Sequence, residues 1–291
     1  MKILLLAPHP FFQNRGTPIA VRMLAETLSA AGHTIRLVTY PEGDDVQIEN
    51  CTISRLPQLS WARGVKPGFS WKKLVYDVLL HREVKKILAE ESFDVIHAVE
   101  ESAFIAAHFG RIHMIPFVYD MDSSLSHQLG EKFFFLKPFQ PLFRSLEKNL
   151  IRKAAGVIPV CRAIEELVLE YDPEALVGLL EDVSLLPPDD GSEPAEHTRL
   201  DLDEDKVYTM YVGNLESYQG IDLLLEAFVL AAEDTEKARL VIIGGADGDI
   251  SSYQRRTEEL GLTDRVRFVG RRPVSDLHHY LRQADILVSP R

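Results

Sequence analysis

Short unbroken apolar runs alternate with longer amphipathic stretches along this chain, and the alternation happens twice. "KILLLA", "TIRLVTY", "FDVIHA", "IPFVYD" and "GVIPV" read as buried strands, apolar on both faces. Between them "TPIAVRMLAETLSAAG", "SWKKLVYDVLLHREVKKILAEE", Ser102–Phe109, "PLFRSLEKNLIRKA" and "RAIEELVLEY" carry apolar residues at helical spacing. From Leu185 to Lys206 the texture changes to Pro and acid, which reads as a linker or long loop. The alternation then restarts with "VYTMYVG", "GIDLLLEAFVLAAE", "RLVIIGG", "YQRRTEELG", "VRFVG", "VSDLHHYLRQA" and "DILVSPR". Strands spaced by helices require crossovers, so each half predicts a parallel sheet wrapped by helices. The expected class is α/β, with two doubly wound Rossmann-like domains: residues 1–185, a linker over 186–206, and residues 207–291. Ligands of such sheets bind beyond the carboxyl ends of the strands, and two domains facing each other would form a cleft there.

Composition narrows the function classes. The formal net charge is -12, so a general nucleic-acid binder, which needs a basic face, is not expected. Cys51 and Cys161 lie far apart without metal-ligand spacing, as in a reducing compartment. The apolar run after Met1 stops at Pro8, too soon for a secretory core, and no run reaches the roughly 20 residues of a membrane helix. A cytoplasmic protein is expected, with any membrane contact peripheral, on the inner face.

Several short motifs sit where such sheets place ligands. Gly16-Thr17-Pro18 opens the first helix, and a helix N-terminus with glycine lets a backbone approach an anion. Gly213 and Gly220 bracket a second strand-to-helix turn, shaped like a phosphate loop but with neither Lys nor Arg between them. Neither turn carries G-x-G-x-x-G, which argues against a nicotinamide cofactor. His97 ends a predicted strand, and Glu100 and Glu101 follow it, placed to accept hydrogen bonds from hydroxyls. Asp120 and Asp122 form a D-x-D triplet with Ser123 and Ser124 beside it. Two segments stand out as basic and aromatic in an acidic chain: "GVKPGFSWKKL" and "EKFFFLKPFQPLFRSLEKNLIRK". They suit an anionic membrane surface, or else a core face with solvated charges.

The order and spacing of "PFFQNRGTPIAVRMLAETLSAAGHTIRLVT", "FDVIHAVEESAFIA", "VGNLESYQGIDLLLEAF", "RLVIIGG" and "RVRFVGRRPVSDLHHYLRQADILVSP" resemble the family 4 retaining glycosyltransferases over nearly the whole chain. That resemblance implies the GT-B fold, with the acceptor in the N-terminal domain and a nucleotide-sugar donor, of UDP or GDP type, in the C-terminal domain. It implies acceptor contacts at Gly16, Thr17, Glu100, Glu101 and Ser123, and catalytic roles among His97, Asp120 and Asp122, one carboxylate acting as base. It implies donor contacts at Gly213, Asn214, Gln219, Gly220 and Gly244, and Arg271 and Arg272, at the end of a later predicted strand, would restore some of the charge that the loop lacks. GT-B enzymes generally hold the donor without a metal, so no metal and no further cofactor are expected, and the D-x-D triplet is read as acceptor-side. The acceptor would be a glycan, a lipid or a small molecule.

The chain departs from the family in three places. Val99 stands where relatives often carry a second active-site histidine. Asn214 and Gln219 stand where relatives carry the Arg and Lys that neutralise the donor diphosphate. The family pattern also continues beyond Arg291, into a carboxylate pair that contacts the donor, so a C-terminally shortened second domain is expected, with hexosyltransferase-type activity in the full-length form and none in these 291 residues alone. A front-side transfer with retention is the reading these features favour. A non-catalytic sugar- or nucleotide-binding GT-B protein and a GT-B nucleotide-sugar epimerase are the alternatives.

Overall fold

The structure, a computed structural model, describes residues 1–13, 16–62, 64, 71–126, 138–182, 196–216 and 219–290. The chain divides into two compact units, Met1–Asp182 and Val183–Arg291.

The first unit runs β1 (Lys2–Pro10), α1 (Gly16–Ala30), β2 (Thr34–Tyr40), β3 (Cys51–Arg55), α2 (Trp71–Glu90), β4 (Val95–Val99), α3 (Ser102–His113), β5 (Phe117–Met121), α4 (Gln140–Lys153), β6 (Gly156–Pro159) and α5 (Arg162–Tyr171). Its six strands are parallel, in the order β3-β2-β1-β4-β5-β6. Side chains alternate across β1. Leu4 and Leu6 join one core with Tyr76, Leu80 and Val84 of α2, while Leu5 and Ala7 join a second core with Val21 and Ala25 of α1. Both faces of the strand are therefore covered, which is why its sequence is an unbroken apolar run. The chain order reverses between β1 and β4, so the loops after these two strands diverge and leave a crevice at their carboxyl ends.

The second unit runs β7 (Val207–Val212), α6 (Ile221–Asp234), β8 (Ala238–Ile243), α7 (Asp247–Glu259), β9 (Val266–Gly270), α8 (Leu277–Leu281) and β10 (Ile286–Leu287). Its sheet is parallel too, in the order β10-β7-β8-β9. Leu225 and Phe228 of α6 cover one face, against Leu240 and Ile242 of β8. On the other face Leu200 packs with Met210, Val241, Ile243 and Tyr280. Leu200 lies in the Pro- and acid-rich stretch. There its amide donates to Gln283 Oε1 at 2.9 Å, and the Thr198 carbonyl accepts from Gln283 Nε2 at 2.8 Å. Residues 196–202 thus pack as part of the second unit, and residues 183–195 lie outside the described residues.

The elements differ from expectation at their weakest signals. β3 is an edge strand of five partly exposed residues, too short and mixed to announce itself. α7 starts at Asp247, ahead of the apolar spacing, because Asp247 and Asp249 in its first turn suit the positive end of the helix dipole. The stretch "VSDLHHYLRQA" forms a 3-10 turn, Val274–Asp276, and the short α8 rather than one helix.

Candidate active site

In the first unit the predicted residues meet at the carboxyl ends of β1, β4 and β5. β4 and β5 pair in parallel with Val99 opposite Asp120, so His97, two residues back, shares a face with Asp120. Their side chains meet, His97 Nε2 lying 2.9 Å from Asp120 Oδ2, with His97 6% exposed. His97 is accordingly a buried, oriented histidine. Just past β5, the Asp122 carboxyl lies near the Thr17 side chain in the first turn of α1, which favours its ionised form. Burial pushes Asp122 up to about 7. The neighbouring charges of Asp120, Glu100 and Asp182 add to the rise, and Thr17 partly offsets it. Gly16 beside Thr17 is exposed.

Glu100 sits where β4 turns into α3. Its φ is +50°, in the left-handed region that residues with a Cβ seldom occupy, and its amide donates to the Asp120 carbonyl at 2.9 Å. Such strain concentrates at functional turns. Glu101 follows as the N-cap residue of α3. Both carboxylates face Lys73 of α2, Nζ lying 2.5 Å from Glu101 Oε1 and 3.4 Å from Glu100 Oε2. Nearby the Tyr40 hydroxyl donates to Asp77 Oδ1 at 2.6 Å. Burial pushes Glu101 and Asp77 up, against the opposing pull of Lys73. For Lys73 burial acts downward, but Glu101, Glu100 and Asp77 outweigh it, so its pKa is raised and the ammonium stays charged. Lys73 was not among the residues expected at the site. The signal was available: on a helix whose buried face runs through Tyr76 and Leu80, position 73 belongs to that face, where a lone charge needs partners.

Ser123 is half-buried next to Asp122. Ser124 turns inward instead, its hydroxyl donating to Glu147 Oε2 at 2.9 Å.

In the second unit β7, β8 and β9 lie side by side, so their carboxyl ends bring Gly213-Asn214, Gly244-Gly245 and Arg271-Arg272 to one edge. The Gly213 amide donates to the Ile243 carbonyl at 3.0 Å, and the Gly244 amide to the Gly270 carbonyl at 2.8 Å. A Cβ on Gly244 would stand 2.0 Å from the Gly213 carbonyl oxygen, so only glycine lets the two turns pack. The Tyr211 hydroxyl donates to the Asn214 carbonyl at 2.7 Å, and Asn214 Oδ1 accepts from the Glu216 amide at 3.2 Å, leaving the Asn214 side chain exposed. Gly220 is the N-cap of α6, with φ +73°, and a Cβ there would meet the Pro290 carbonyl oxygen at 2.5 Å. Gln219 is 4% exposed, so its side chain packs inside the unit. Exposed Arg271 donates from Nε to the Gly245 carbonyl at 3.1 Å, and Arg272 beside it is exposed. The cations that the loop itself lacks therefore stand two strands further on, at the end of β9. Ser217 and Tyr218 lie outside the described residues.

The comparisons with known proteins match both halves. Residues 15–177 match the family model described as "Glycosyl transferase 4-like domain", and residues 192–291 match "Glycosyl transferases group 1". A phosphatidyl-myo-inositol mannosyltransferase of Mycobacterium leprae is 24% identical over 296 residues, covering 100% of this chain and 72% of its own length. Among solved structures, the sucrose-phosphate synthase of Thermosynechococcus elongatus superposes with a TM-score of 0.72 at 21% identity, over 99% of this chain and 75% of that one. Anabaena HepE in complex with UDP and glucose superposes at 0.68 with 17% identity, over 99% and 73%. With the 4-like model spanning more than half of its residues and the chain superposing on these structures along 99% of its length, the chain belongs to the 4-like glycosyl transferase family and has the GT-B fold.

Proposed function

We propose that this chain moves a sugar from a nucleoside-diphosphate sugar, bound at the glycine turns of the second unit, to an acceptor hydroxyl bound at the β4–β5 edge of the first, with retention of configuration. The observation that carries the reading is the Asp122 carboxyl, placed just past the carboxyl end of β5 and raised to about 7 by burial and the charges around it. A carboxylate of that basicity suits accepting the proton of an attacking hydroxyl near neutral pH. Glu100, Glu101 and Ser123 supply acceptors and a hydroxyl for the rest of the acceptor. On the donor side the leaving diphosphate gathers charge as the glycosidic bond breaks. The α6 N-terminus, the exposed Asn214 amide and the Arg271 and Arg272 guanidiniums are the groups suited to stabilise it. Attack from the same face as the departing diphosphate needs no covalent protein nucleophile. The named relatives, a phosphatidyl-myo-inositol mannosyltransferase and a UDP- and glucose-binding protein, support a lipid acceptor and a nucleotide donor.

Product analysis tests this. The full-length protein would be incubated with a panel of UDP- and GDP-sugars and with phosphatidylinositol, glycan and small-molecule acceptors. Transfer is expected with one donor, and Asp122→Asn should lower kcat by about 10²-fold or more, the scale of a lost general base. Binding of a donor without any transferred product would instead favour a non-catalytic binding protein, the reading that the absence of loop cations at Asn214 and Gln219 supports. Conversion of the donor alone would favour an epimerase.

A further inference from the structure

Glu147, midway along α4, is 1% exposed, yet it carries a carboxylate. Its partners are the residues that follow β5. Oε2 accepts from the Ser124 hydroxyl at 2.9 Å and from the Ser126 hydroxyl at 2.8 Å, and Oε1 accepts from the Leu125 amide at 2.8 Å. The two serine hydroxyl oxygens lie 2.9 Å apart around that carboxylate oxygen. Burying a carboxylate costs several kcal/mol unless hydrogen bonds replace its water, and an apolar side chain would fill the same space without that cost. What an apolar side chain cannot do is specify the path of three consecutive residues through two hydroxyls and an amide. Those residues begin two positions after Asp122. The turn is thus pinned to α4 within two residues of the Asp122 carboxylate.

We infer that Glu147 is a positioning residue for the acceptor site: by holding Ser124, Leu125 and Ser126, it sets where Asp122 and Ser123 stand. The inference rests on the reading of Asp122 as a group that acts on the acceptor.

The test uses the full chain and three variants. Glu147→Ala leaves an amide and two hydroxyls without their acceptor. Glu147→Gln keeps an oxygen for the Leu125 amide and an NH₂ that either serine hydroxyl can accept. Ser124→Ala with Ser126→Ala removes the hydroxyl contacts and spares the helix. Transfer kinetics give one readout. The titration midpoint of the Asp122 carboxyl, followed by carbon-detected NMR without substrate, gives the other. Glu147→Ala is expected to lower kcat by about tenfold or more, the scale of a sub-ångström to 1 Å displacement, with KM for the nucleotide sugar unchanged. The Asp122 midpoint should fall towards the ordinary carboxylate range as the turn loosens into solvent. Asp120, Glu100 and Asp182 are the charged groups that face it. Glu147→Gln should recover most of both readouts. If Glu147→Ala does not fold, the double serine variant carries the test in the same direction. An altered melting temperature with parental kcat and an unmoved Asp122 midpoint would make Glu147 a packing residue only and overturn the inference. If the parent transfers no sugar from any donor, the functional reading falls, while the NMR midpoint still decides whether Glu147 sets Asp122.

Discussion

Asp122 ties the chemistry to pH. Its ordinary value is 3.8, and in the fold it stands at about 7. Between those values the folded chain keeps a proton that the unfolded chain has released, so this group's contribution to stability falls as pH rises through the window. The same titration sets activity in the opposite sense. As a base Asp122 works only when ionised, so kcat/KM should climb with pH and level off above about 7, and Asp122→Asn should erase that limb. A pH–rate profile of the parent that is flat from pH 5 to about 8 would remove Asp122 as the base. Residue by residue, the site was partly legible. Thr17, Asp120, Asp122, Glu100 and Glu101 stand next to strand ends in sequence, so the α/β rule finds them. Lys73 and Glu147 do not; each is a charge on a helix face whose neighbours are apolar. Their partners lie 27 or more residues away for Lys73 with Glu100, and 21 or more for Glu147 with Ser126, beyond the reach of periodicity.

At the scale of elements, the strands were legible because both faces of each central strand are buried. The glycine turns were legible as turns, but which of them must be glycine became clear only from packing. Gly244 meets the Gly213 carbonyl, so β7 and β8 end in contact. Gly244→Ala should push the two turns apart, cost about 1–3 kcal/mol in stability as overpacking does, and weaken nucleoside-diphosphate binding measured by calorimetry. Gly16→Ala is the control, since nothing lies within 4 Å of its added Cβ. Equal diphosphate affinity in both variants would separate this turn from the donor. β3 and the start of α7 escaped for the opposite reason: edge strands and polar helix starts bury little, so they leave little pattern.

At the scale of the whole molecule, no helix among the described residues is long and apolar enough to cross a membrane. Peripheral contact with an anionic bilayer needs an exposed apolar and basic surface. α4 offers one: Leu142 and Leu146 are exposed along one stripe, with Phe139 ahead of them, and Arg144, Lys148, Arg152 and Lys153 lie on the same helix. Trp61 and Trp71 stack with ring centroids 5.4 Å apart and are exposed too. The aromatic and basic residues from Phe133 to Lys137, read from sequence as part of this face, lie outside the described residues. We propose that the first unit docks on anionic membranes, in keeping with a lipid acceptor. Flotation should recover more protein with phosphatidylglycerol vesicles than with phosphatidylcholine vesicles and should weaken with salt, and Lys148→Glu, Arg152→Glu and Lys153→Glu together should reduce it. Equal recovery with both lipids would leave a soluble acceptor.

The turn at Glu100 bears on how such an enzyme tolerates change. A left-handed backbone costs a residue with a Cβ roughly 1–2 kcal/mol, and glycine would escape most of that. Lineages under pressure for heat tolerance alone would drift to glycine here, and lineages that must keep a carboxylate beside Lys73 would not. Position 100 is where the two pressures oppose each other, and a thermostabilised variant selected without an activity screen would lose its carboxylate there first.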